Sequence, residues 1–338
     1  MAILQSEIKL YRAEYTNDLD ANGGVMSINE AASGVANNLL PDVNEAERTA
    51  GVTRYRKGFF KIANATLPVI GLSSPRIYIP FQTDADDSVV FFPGTQDNTQ
   101  VAFTPTTATT PAPYGCGNLN ANISAAAVTC DVAVEDWTVA EIFRVGSKVR
   151  ISNQSIVGGA GTEEFVTLTV VAPVANIVTL TWVGGLANAY TAAATKVSTV
   201  YEPATVIAST DASYTVTSTG GTYNEGGYPI EGSNVGGVFD DWTIQITTAP
   251  AFTCFGSKSG TVGTGAIGGD FFPTNDDFSS PYFTLRTAGW NGSWDDGDTL
   301  QFTTQPAAVP LWFKQVVPTG GSVVPGNSFE IAIDGQTA

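Results

Sequence analysis

Along the chain, short runs that alternate apolar and polar residues are cut every few positions by Gly, Pro, Asn and Asp, the pattern of strands joined by turns. The clearest are RIYIPF (76–81), SVVFFP (88–93), KVRISN (148–153), FVTLTVV (165–171), IVTLTWV (177–183), DWTIQITT (241–248), PYFTLRTA (281–288), DTLQFTT (298–304) and SFEIAI (328–333). Helical periodicity is nearly absent. Ser27 and Glu30 stand at capping-box spacing before AASGVANNLL, which Gly34 and the Asn37, Asn38 pair cut short; NEAERTA (44–50), after Pro41, predicts a second brief helical turn. The pattern predicts an all-β fold, a multi-domain β-sandwich.

Composition shifts divide it. Residues 1–26 hold no sustained apolar face, and ANGGVMS (21–27) reads as a flexible turn, so the chain is expected to begin with an extended N-terminal arm. An extended arm can dock on a partner's sheet edge through backbone hydrogen bonds. Residues 1–75 form this arm and interface segment, and 76–131 a first β region ending in a Thr-, Pro- and Ala-rich linker (104–127). Residues 132–203 read as a small inserted SH3-like barrel closed by Pro203, and 204–338 as a C-terminal β-sandwich.

Charge is unevenly spread. Of 15 basic and 32 acidic residues, the first 76 positions hold eight of each, so the remainder carries the whole formal net charge of −17. Such a body repels phosphate backbones and anionic membrane surfaces, which argues against specific nucleic acid and membrane as partners. No apolar run approaches the roughly 18 residues a span requires, and the start lacks a signal peptide's apolar core, so assembly in a cytoplasm is expected.

Chemistry is thinly represented. The chain has no histidine, the commonest general base and metal ligand, and lacks GxSxG, P-loop, HExxH and CxxC signatures. No catalytic residue, metal or cofactor is therefore expected. Carboxylates alone can hydrolyse glycosides, and three clusters come into question: Asp84, Asp86 and Asp87; Asp240 and Asp241; and Trp290, Trp294, Asp295, Asp296 and Asp298. The same groups could hold Ca2+, but acidic residues in turns more often cap the backbone, and DDGD (295–298) suits a hairpin turn with Gly297 at positive φ. Trp290 and Trp294, four apart, favour a shared core face over a sugar platform. Cys116, Cys130 and Cys254 are read as buried thiols, with a Cys116–Cys130 bridge as the alternative.

The stretch Arg54, Tyr55, Arg56, Lys57, Gly58, Phe59, Phe60, Lys61 alternates cations and aromatics. In so acidic a chain it favours an interface with the acidic body of a neighbouring subunit over a nucleic-acid strip.

Three stretches carry a family resemblance: IKLYRAEYTNDLDANGGVMS with its sequel LLPDVNEAERTAGVTRYRKGFFKIAN; VGSKVRIS with VSTVYEP; and PYFTLRTAGWNGSWDDGDTLQFTTQPAAVPLWFKQVVP. Together they cover more than half the chain and resemble a family of virion structural proteins of tailed bacteriophages and prophages. The resemblance implies a non-enzymatic subunit of the neck or collar, tail or capsid exterior, assembled in the host bacterial cytoplasm. Its implied partners are copies of itself and neighbouring virion proteins (portal or connector, tail tube or sheath, capsid). It points to two interface segments, Ile8, Leu10 and Tyr11 in the arm and Arg54, Tyr55, Arg56, Lys57, Phe59 and Phe60 beyond it. A carbohydrate- or receptor-binding decoration module is the competing reading, and a glycan-cleaving enzyme the third.

Overall fold

A computed structural model describes residues 2–101, 112–135, 141–210 and 214–337. Within them the chain is nearly all β, and no helix is long and apolar enough to cross a membrane. Three bodies are built from antiparallel strands.

The first is a five-stranded sheet in the order Gly23–Glu30, Ile8–Tyr15, Val52–Ile62, Ala308–Val317, Ser88–Pro93. One face packs on a ribbon of Leu72–Phe81 paired with Glu330–Thr337, enclosing Phe60, Ile62, Ile77, Ile79, Phe91, Leu311 and Phe313. The expected N-terminal arm is therefore not free. Ile8–Tyr15 is hydrogen-bonded on both sides, to Gly23–Glu30 and to Val52–Ile62. Its lack of an apolar face has a physical cause: the strand is covered on both sides, with Leu10 packed against the core just described and Ala13 in a small cluster with Phe59 and Ala308 on the opposite face.

Six strands close the second body, a barrel in the order Ile177–Trp182, Thr129–Ala133, Cys116–Leu119, Lys196–Val200, Lys148–Ser152, Glu163–Val174. Val132, Val149, Ile151, Leu168, Val178, Leu180, Trp182 and Val197 fill it. It begins earlier than the 132 expected from the sequence, because CGNL, inside the tract read as linker, is a barrel strand. A Cβ on Gly117 would lie 2.6 Å from Val132 Cγ1 and 2.7 Å from the Ala133 carbonyl, so the wall accepts only glycine there. The other end of the linker and the DWT at 136–138 lie outside the described residues.

In the third body Asp240–Thr248 and Thr299–Gln305 form the centre of a sheet extended by Ala251–Gly256 and Gly260–Ala266. The expected alternation is clean in Asp240–Thr248: Trp242, Ile244 and Ile246 are buried, while Asp241, Gln245 and Thr247 are exposed. Short ribbons, including Gly220–Tyr223 with Trp290–Ser293, cover the inner face. PYFTLRTA is broken into the two-residue strands Ser280–Pro281 and Phe283–Thr284 and a 3-10 turn, Thr287–Gly289. This body does not extend to residue 338, because Ala308–Val317 and Glu330–Thr337 return to the first one.

Helix expectations divide in the same way. Asn44 and Glu47 close a capping box at the start of Glu45–Ala50, with Asn44 Oδ1 accepting from Glu47 N at 3.0 Å and Glu47 Oε2 from Asn44 N at 2.9 Å. Ser27 and Glu30 instead lie in the strand Gly23–Glu30, which Gly23 and Gly24 enter at positive φ; pairing with Ile8–Tyr15 overrides the local capping signal.

One buried and one half-buried cation lock the barrel to the first body. Arg150, almost fully buried, donates to Glu163 (2.6 Å) and Gln154 (2.8 Å) and stacks over Tyr78 from the ribbon. Arg76 lies over the Phe165 ring and pairs with Asp334 at 2.7 Å. The three thiols are free and buried, so no Cys116–Cys130 bridge forms; burial pushes Cys130 and Cys254 up to about 12 and raises Cys116. Native protein is expected to leave all three unmodified by a neutral-pH thiol reagent, and unfolded protein to react at all three, counted by intact mass.

Candidate functional site: a groove along an open sheet edge

The cation and aromatic stretch runs down the strand Val52–Ile62, and successive side chains point to opposite faces. Arg54 donates to the Pro41 and Asp42 carbonyls and pairs with Glu47; Arg56 donates to the Asn17 carbonyl (2.9 Å) and Asp18 (2.6 Å). Of the nine residues expected at an interface, Tyr11, Arg54, Arg56, Lys57, Phe59 and Phe60 are buried, and Ile8, Leu10 and Tyr55 half-buried, against this chain's own elements. The cations are indeed met by acids and carbonyls, but within the chain. Periodicity alone could not distinguish a strand covered on both faces from one with a charged outer face.

Lys57 and Lys61 share one face and are both fully buried. Lys57 Nζ donates to the Gly24 carbonyl at 2.6 Å and the Asn98 carbonyl at 2.9 Å, tying the first turn of the edge strand to the loop beyond Ser88–Pro93. Among the described residues Lys61 Nζ has no hydrogen-bond acceptor; it lies 3.9 Å from the centre of the Phe278 ring and 5.9 Å from that of Tyr11. Burial lowers both ammonium groups to about 7.

Phe278 belongs to the third body, and beside it runs a groove of about 410 Å³ where the first and third bodies meet. One wall consists of residues 25–28, four consecutive positions of the strand Gly23–Glu30. The strand is bulged on either side of Met26, so its residues do not alternate regularly here and all four reach the groove along the edge. That edge is open: Gly23–Glu30 ends the five-stranded order, and past Gly24, which bonds the Asn98 carbonyl, it pairs with no further strand among the described residues. Phe239, Lys258, Asp277, Phe278 and Tyr282 form much of the opposite wall.

The acidic clusters are structural. Asp240, fully buried, accepts from Asp241 N, Ser257 Oγ, Lys258 N and Ser259 N at 2.8–2.9 Å, fixing the turn that carries Lys258 and Ser259 into the groove. Asp87 accepts from Gln315 and Asn327, and Asp86 from Ser322 N, so both hold the 318–329 connection. In DDGD, Asp298 accepts from Asp295 N and Ser218, which holds its carboxyl below the usual range, and Gly297 takes φ 88°. Trp294 is buried and Trp290 stacks on Phe252 with centroids 5.6 Å apart, so both serve the core. Among the described residues no cluster of acidic or thiol groups is arranged to hold a metal. Residue type alone could not have exposed the groove, because its walls come from distant segments.

No protein-family model, curated protein or solved structure matches this chain.

Proposed function

We propose that the chain is a non-enzymatic structural subunit of a tailed-phage particle, placed at the neck or collar or associated with the tail and repeated in contact with its neighbours. The observation that carries this reading is the way the bodies are fastened. Ala308–Val317 and Glu330–Thr337 return to pair with Val52–Ile62 and Leu72–Phe81, and buried Arg150 with half-buried Arg76 pins the barrel to that body, giving a stiff unit suited to transmitting force between neighbours. The acidic exterior adds to it, since five of the fifteen cations (Arg54, Arg56, Lys57, Lys61, Arg150) are buried, leaving a surface past which nucleic acid slides without adhering. The partner-docking arm is withdrawn, and contact between subunits falls to exposed edges and faces. The test is to purify tailed particles from the strain carrying the gene and label them with antibody against the folded chain. Label at one fixed level of the particle supports the reading; particles that lack the chain by mass spectrometry refute it.

A further inference from the structure

The geometry points to the groove along residues 25–28 as a receptor for one extended peptide strand of another protein, an apolar segment flanked by one acidic and one basic side chain. The proposal stands independently of the particle assignment.

Three observations carry it. The first is the open edge: residues 25–28, about 13 Å of extended chain, line the groove and have no strand on that side among the described residues, as strand addition requires. Second, the facing wall is apolar at its centre, where Phe278, Tyr282 and Phe239 lie opposite Val25 and Met26. An added strand places every second side chain against one wall, so this is the place for the apolar residue.

The third is charge left over. Lys258 lies with Nζ 4.6 Å from the centre of the Phe239 ring and makes no ion pair among the described residues. Asp277 lines the same groove and makes none either, although elsewhere exposed pairs such as Arg286 with Glu231 and Asp270 do form. Each is thus left for an outside group, Lys258 for a carboxylate and Asp277 for a cation.

The experiment is a selection of displayed random ten-residue peptides on the full chain. The expected result is an enriched pattern of alternating apolar residues with an acid and a base at fixed offsets, whose synthetic peptide slows amide exchange in residues 25–29. Lys258→Glu should weaken that peptide at least tenfold and, in a repeated selection, exchange the acid for a base. Ser27→Pro and Ile28→Pro provide the backbone test: each removes one N–H from the bulged edge, and whichever variant keeps the parent unfolding temperature should lose peptide binding. No enrichment, or binding indifferent to both Lys258→Glu and the prolines, overturns the proposal. Self-association abolished by the same changes would put a second copy of this chain in the groove and overturn the assignment to another protein.

Discussion

Asp240→Ala is expected to destabilise the third body by about 3 kcal/mol or more, measured by chemical unfolding followed through tryptophan fluorescence. Four donors converge on this one buried carboxylate, and hydrogen bonds to a charged group contribute about 1.5–3 kcal/mol each, not fully additively. Asp241 is the internal control. It is exposed and accepts from Thr303 Oγ1, so Asp241→Ala is expected to change stability by about 0.5 kcal/mol or less. Equal losses at both positions would show that the Asp240 network contributes little. The substitution also releases the turn bearing Lys258, so peptide capture in the groove should weaken in parallel.

Lys61→Met is expected to stabilise the protein at neutral pH, by about 2–4 kcal/mol, with a gain that disappears toward pH 10. The folded chain holds the Lys61 proton less tightly than the unfolded chain, with the ammonium lowered from 10.5 to about 7. Stability lost to this group is therefore fully present below about pH 7 and recovers as pH rises from 7 toward 10.5. Methionine has similar length, packs its thioether against the Phe278 ring, and needs no acceptor. Lys57→Met is expected to have the opposite sign, because Lys57 makes two hydrogen bonds to carbonyls that methionine would leave unpaired. Thermal unfolding from pH 6 to 10 reads both. Above pH 10 buried Tyr190 and Tyr223, raised to about 12, bring a separate loss of stability, because the unfolded chain then releases protons first. A Lys61→Met gain that does not vary with pH would refute the linkage.

The β class, the barrel and several long strands were legible because half-buried strands with one wet face must alternate, as IVTLTW and DWTIQITT do, and because a short β-rich run such as SVVFFP, bounded by turn residues, reads as a buried strand. The core placement of Trp290 and Trp294 and the turn role of DDGD followed from the same local rules. What local rules missed has a common origin. Val52–Ile62 and Ile8–Tyr15 are covered on both faces, so their lysines and arginines resembled surface charge. CGNL became a strand because a neighbouring wall leaves no space for a side chain at Gly117. The groove was hidden for the same reason, as it arises from segments more than 200 residues apart.

The central sheet also sets an order of events during synthesis. Ala308–Val317 lies between Val52–Ile62 and Ser88–Pro93, so two early strands wait unjoined while more than 200 later residues are made. The barrel, by contrast, draws all its strands from residues 116–200 and can close while the remainder is still on the ribosome. A chain that stops short of residue 308 would leave behind a finished barrel beside two unpaired apolar strand edges, the kind of surface that aggregates. Arrival of Ala308–Val317 thus separates a closed sheet from a sticky fragment.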